Sequence, residues 1–92
     1  MIEITSVRMV GGVQHEHIAN LKWKNLTTAS VGETSRQGLV DWLNAPDNQA
    51  IVRDGDISVS VGVVNPVGAP SYVRTYADGV WKDNLLALPR YS

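Results

Sequence analysis

The chain has 92 residues, 43% of them hydrophobic and 18% charged, an ordinary globular mix with room for one domain over residues 1–92. Eight lysines and arginines against nine acids leave a net charge of −1, so no field of one sign draws in nucleic acid or anionic lipid. Cysteine is absent, which excludes a disulfide framework and thiolate metal sites and leaves apolar packing to hold the fold.

Ile2 to Val10 is rich in β-branched residues and ends at Gly11-Gly12, which predicts a first strand closed by a turn. Its apolar phase changes between Ile2/Ile4 and Val7/Met9, so a bulge or bend is required near Thr5 and Ser6. The same stretch has neither the apolar run nor the basic start of a signal peptide, and no apolar segment approaches the ~20 residues of a membrane helix. A soluble, cytoplasmic protein is expected. Next, His17, Ala19, Leu21 and Trp23 fall on one side of an extended segment and Asn20, Lys22 and Lys24 on the other, predicting a half-buried second strand. The short glycine-containing connection pairs the two as a hairpin.

Thr27 to Glu33 reads as polar and irregular. Thr34-Ser35-Arg36-Gln37 then sets a hydroxyl three residues before a glutamine, the reciprocal capping arrangement that starts a helix. Leu39, Val40 and Leu43, flanked by Trp42, form its apolar stripe, and Pro46 stops it. Gly38 weakens this short helix, so packing against a sheet must hold it.

Ala50 to Arg53 is a short extended piece, followed by a turn at Asp54-Gly55-Asp56. Ile57, Val59, Val61 and Val63 alternate with small residues and predict the central strand, with four branched side chains on one buried face. Pro66 and Pro70 break the ladder, so the chain loops before a return strand over Tyr72–Ala77. Asp78-Gly79 favours a tight hairpin into Val80-Trp81-Lys82, and the tail Leu85–Pro89 supplies apolar cover. The expected fold is α+β: an antiparallel sheet of four or five strands against one helix, in the order ββαβββ.

His15-Glu16-His17 is the first chemical candidate, because residues two apart on a strand share a face and could offer two imidazoles to a metal. With no third imidazole or thiolate in the chain, the pair reads instead as a solvated turn, and neither a metal site nor a cofactor is expected. Asp54, Asp56, Asp78 and Asp83 lie in or beside turns rather than as a paired acid and base, and no nucleophile motif or phosphate loop is present. The chain is therefore read as noncatalytic. Tyr72, Arg74 and Tyr76 share one face of the return strand, a stacking-plus-cation set that Lys22, Lys24 or Lys82 would extend. These are the residue types of a protein interface as well as of a platform for single-stranded nucleic acid. Trp23, Trp42 and Trp81 read as core rather than as a ligand cage.

"LVDWLN" at residues 39–44, "YVRTYADG" at 72–79 and "DNLLALP" at 83–89, with "HIANLKW" at 17–23, resemble a family of small bacterial proteins, domain of unknown function 3892. The resemblance covers most of the chain, implies a bacterial or phage source and carries over no catalytic residue. Arg90-Tyr91 stands where a cysteine would be expected, which removes thiol chemistry. The functional expectation is a noncatalytic interaction module with a protein partner, monomeric or a weak homodimer, away from membranes. The alternative is single-stranded nucleic-acid binding around Tyr72, Arg74 and Tyr76.

Overall fold

The computed structural model describes residues 1–77 and 79–91. Seven strands form one mixed sheet: β1 (Ile2–Met9), β2 (Ile18–Asn25), β3 (Val31–Ser35), β4 (Ala50–Asp54), β5 (Ile57–Val64), β6 (Tyr72–Ala77) and β7 (Val80–Lys82). The helix α1 (Arg36–Leu43) and two 3₁₀ turns, η1 (His15–His17) and η2 (Asn84–Ala87), complete the described chain. The α+β class is as expected, but the sheet is larger than four or five strands, and the element order is βββαββββ. Across the sheet the strands run β3-β2-β1-β4-β5-β6-β7; β1 and β4 are parallel and all other neighbours antiparallel.

Two strands are additional: one lies after the helix, where β4, β5, β6 and β7 stand in place of three, and the other is β3, which overlaps the stretch expected to be irregular and runs into the expected helix start. Its inward positions are Gly32 and Thr34, while Val31, Glu33 and Ser35 are exposed, so the apolar pattern that betrays a strand is inverted at this edge. Because β3 lies antiparallel to β2, it runs the same way as β1, and the chain passes over α1 to enter β4 parallel to β1. That crossover is what makes the sheet mixed. It also makes β4 the middle strand, the place expected of β5.

The predicted bulge is present. In the β1–β2 ladder Ile4 faces Trp23 but Ser6 faces Lys22, so Thr5 is the additional residue; farther on, Arg8 faces Asn20 and Met9 faces Ile18, leaving Ala19 additional on β2. The first shift keeps Ile4 and Val7 on one face, and the second does the same for Leu21 and Ile18. The two are opposite in sense, so the hairpin ends in the register with which it began. Leu21 and Trp23 face inward as expected. Ala19 is the bulge residue instead, Ile18 takes the inward place, and His17 belongs to η1.

The core collects Ile2, Ile4 and Val7 of β1, Ile18 and Leu21 of β2, Ala50 and Val52 of β4, Val61 of β5 and Val73 of β6. Leu39 and Val40 of α1 and Leu85 of η2 close over them, with Trp23, Trp42, Leu43, Val63, Leu86 and Leu88 packed around the margin. Val59 and Val61 are buried as predicted, whereas Ile57, next to the Asp54–Ile57 turn, is 66% exposed. The helix N-cap is Ser35, one residue later than expected: its hydroxyl accepts the Gly38 N–H at 3.0 Å, and Gln37 bonds Asp41 instead of reaching back. A Cβ on Gly38 would stand 2.5 Å from Thr34 Oγ1, so a larger residue there would turn that hydroxyl away from the Ser35 carbonyl to which it donates. The tail after η2 continues along β1, where Val7 N–H donates to Pro89 and the Val7 carbonyl accepts from Tyr91.

Between β2 and β3 the chain turns through Ala29 at φ 63°, the one non-glycine residue in the left-handed region among those described. Asn25 braces the turn, its side-chain oxygen accepting the N–H groups of Thr27 and Thr28. A left-handed alanine costs about 1–2 kcal/mol, partly offset by the freedom that a glycine would lose on folding. Ala29→Gly is expected to stabilise the protein by about 0.5–1 kcal/mol in urea unfolding, and a loss of stability would contradict this reading of the turn.

Candidate functional site

On β6 the side chains of Val73 and Thr75 are fully buried, which turns Tyr72, Arg74 and Tyr76 to the opposite face. Their partners on β5 are Val64, Gly62 and Ser60. The three residues therefore share a face as predicted, but each has a different situation.

Tyr76 is 43% exposed and meets Trp81 of β7 edge to face, with ring centroids 5.1 Å apart. Trp81, 38% exposed, is not part of the core as its residue type suggested. It pairs across the hairpin with Tyr76, and its ring rests over Gly62, where a Cβ would come within 3.3 Å. Gly62 thus gives the indole a flat bed on the outer face of the sheet. Of the hairpin turn expected at Asp78-Gly79, Asp78 lies outside the described residues, and Ala77 faces Val80 across it.

Arg74 is committed to the chain itself. Its Nε donates to the Lys82 carbonyl at 3.0 Å and a terminal nitrogen donates to Asp83 Oδ1 at 2.7 Å. Beside it, Thr75 and Asn84 exchange hydrogen bonds, the Asn84 N–H donating to Thr75 Oγ1 at 3.1 Å. These bonds pin the passage from β7 into η2, which delivers Leu85 to the core.

Tyr72 lies at the end of β6 that β7 does not reach, and η1 packs there. The His15 ring stacks on Tyr72 with centroids 6.4 Å apart. His15 is buried rather than solvated, and His17 is half-buried with Nδ1 accepting the Gln14 N–H at 3.2 Å. The segment is a 3₁₀ turn, not a strand, so the two imidazoles do not share a face. Among the described residues no group of three His, Asp or Glu side chains is placed to hold a metal ion. His15 Nε2 lies 3.8 Å from Asp83 Oδ1, beyond hydrogen-bond distance. Burial lowers the pKa of His15 below the usual 6.5, Arg74 lowers it further, and Asp83 and Glu16 act in opposition.

Lys22 and Lys24 are not brought to this site. They project from β2, and β1, β4 and β5 separate that strand from β6. Lys22 Nζ sits 4.4 Å from the centre of the Tyr91 ring, and the Tyr91 hydroxyl donates to Glu33. Burial first, then the Glu33 carboxylate, pushes the Tyr91 pKa up to about 12. Trp23 and Trp42, with Ile2 and Leu39, line a groove of about 330 Å³ between α1 and the β2–β3 edge.

Of the residues at the hairpin, sequence reasoning missed Asp83 and the exposure of Trp81. A signal for Asp83 existed: the register Thr75 to Lys82 across a two-residue turn places Arg74 opposite Asp83.

Two ionisations make the stability of the fold depend on pH. The unfolded chain takes up a proton at histidine near pH 6.5 while buried His15 resists it, so stability is lost as pH falls from 6.5 through the lowered value. Tyr91 keeps its proton to about 12 when folded, so stability is lost as pH rises from 10 toward 12. Urea unfolding across pH is expected to show both declines, with His15→Asn flattening the acid side and Tyr91→Phe the alkaline side. Profiles unchanged by these substitutions would contradict the assignments.

Residues 3–89 match the profile of a family described as protein of unknown function (DUF3892). No curated protein and no solved structure matches the chain. No described helix is long and apolar enough to cross a membrane. The match takes in β1 from Glu3 onward, the other six strands whole and with them the hairpin that carries Tyr76 and Trp81, and the chain belongs to this family.

Proposed function

We propose that the protein is a noncatalytic protein-interaction module that docks through the outer face of the β6–β7 hairpin. The carrying observation is the solvent-facing pair Tyr76 and Trp81, packed on one another at 5.1 Å with the indole bedded on Gly62. Large rigid aromatics of this kind anchor protein interfaces because they bury much area and lose little conformational freedom on binding. The partner that fits is a protein surface with an apolar patch bordered by acceptors for the Tyr76 hydroxyl and the Trp81 N–H.

Nucleic acid is the weaker reading, for a reason of geometry. A stacking platform for single strands needs cations free to follow the phosphates. Arg74, central to that reading, is taken by Asp83 and the Lys82 carbonyl, and Lys22 and Lys24 stand several strands away. Tyr72 is packed on His15.

Purified from its native cell, the tagged protein is expected to carry a protein partner in fixed ratio. Trp81→Ala and Tyr76→Ala should each weaken that complex about tenfold or more, while Lys24→Ala leaves it unchanged. Recovery of nucleic acid in a salt-sensitive complex, or a partner indifferent to both aromatic substitutions, would overturn the proposal.

A further inference from the structure

Among the described residues, His15 Nε2 is the buried side-chain polar atom with no hydrogen-bond partner. A buried imidazole left in this way costs free energy, and most such atoms in folded proteins are satisfied. The nearest potential partner is the Asp83 carboxylate, which a charged imidazole attracts more strongly than a neutral one does. Asp83 Oδ1 stands 3.8 Å away, and the same oxygen accepts from Arg74 at 2.7 Å. The Asp83 side chain is 71% exposed, so nothing packs it in place.

We propose that His15, Asp83 and Arg74 form a proton-operated clasp: protonation of His15 Nε2 draws the Asp83 carboxylate from Arg74 and slackens the β7–η2 junction. A neutral imidazole has no strong hold on the carboxylate, and Arg74 keeps it. A proton taken from solvent gives Nε2 a charged donor, and a displacement of about 1 Å brings Asp83 Oδ1 within reach of a charge-assisted hydrogen bond. Arg74 then keeps only the Lys82 carbonyl, and two cations contend for one carboxylate.

The charges around His15 define the device. Glu16 and His17 lie on its own turn, Tyr72 and Arg74 approach from β6, and Asp83 comes from the end of β7. From α1, the Arg36 guanidinium bonds the Glu16 carbonyl. Arg74 opposes the proton on His15, and Asp83 and Glu16 favour it. The movable member of the set is Asp83. Because the junction it leaves joins the β6–β7 hairpin to the buried Leu85 of η2, a local proton uptake is felt by the hairpin's attachment to the core.

The test is a titration of the intact protein by NMR between about pH 4 and 8, with the His15 and His17 rings assigned separately and the Arg74 Nε–H followed alongside. The Arg74 signal is expected to move with the same midpoint as the His15 ring, below 6.5. D83N should shift the His15 midpoint downward and leave the Arg74 signal without its acid transition; R74Q should shift the His15 midpoint upward. An Arg74 signal that stays still while His15 titrates, or a His15 midpoint unmoved by D83N, overturns the clasp. If D83N does not fold, H15Q decides: loss of the acid transition at Arg74 supports the proposal, and its persistence overturns it.

Discussion

A chain without a crosslink must turn its aliphatic side chains to the same side of a sheet, and here that depends on one residue of β1 standing outside the ladder. Thr5 interrupts strict alternation, so Ile2, Ile4 and Val7 all reach the interior. Were Thr5 to take an ordinary place in the ladder, the strand beyond Ile4 would turn over, sending Val7 to solvent and Ser6 and Arg8 toward the core. An unpaired guanidinium among Leu21, Val73 and Leu85 would cost several kcal/mol, more than a domain of this size can spare. The opposite bulge at Ala19 returns the hairpin to register, so the correction stays local. β1 matters doubly, since it holds β2 along one edge and β4 with the carboxy-terminal tail along the other.

The outer face follows from the inner one. Once Val73 and Thr75 are committed to the interior, alternation leaves Tyr72, Arg74 and Tyr76 outside, and the hairpin register sets Trp81 beside Tyr76. What distinguishes these residues is their neighbours. Arg74 meets a carboxylate, Tyr72 meets a buried histidine, and only the Tyr76–Trp81 pair is left facing solvent. The same hairpin delivers Leu85 to the core through the junction that Arg74 and Thr75 bind. Surface and core are therefore coupled through a few polar bonds at one place.

Much of this architecture is legible in the amino-acid sequence. Branched alternation marks β5, the Asp-Gly pair marks the β6–β7 hairpin, and the broken apolar phase of β1 marks its bulge. In each case local pattern and tertiary burial agree. β3 is not legible, because an edge strand under a helix cap can turn glycine and threonine inward and valine outward. With β3 hidden, the parallel pairing of β1 with β4 is hidden too, since a crossover cannot be inferred from one of its strands. The N-cap falls on Ser35 rather than Thr34 because both carry hydroxyls and only the end of β3 decides between them. At the site, shared strand face is readable for Tyr72, Arg74 and Tyr76, but burial of His15 is not. It depends on η1 meeting β6, a contact between elements far apart along the chain.

Deleting Thr5 tests the account at its root, because the residue is exposed and contributes one side-chain hydrogen bond, to the Lys22 carbonyl. Calorimetric melting of the deletion beside Thr5→Ala separates the side chain from the extra backbone unit. Both proteins are expected to melt cooperatively within a few degrees of the parent, because without Thr5 the alternation Ile4, Ser6, Val7 still turns Val7 inward in the same register against β2. A deleted chain that loses its cooperative transition would contradict this, since Thr5 would then hold a place in the ladder instead of standing outside it.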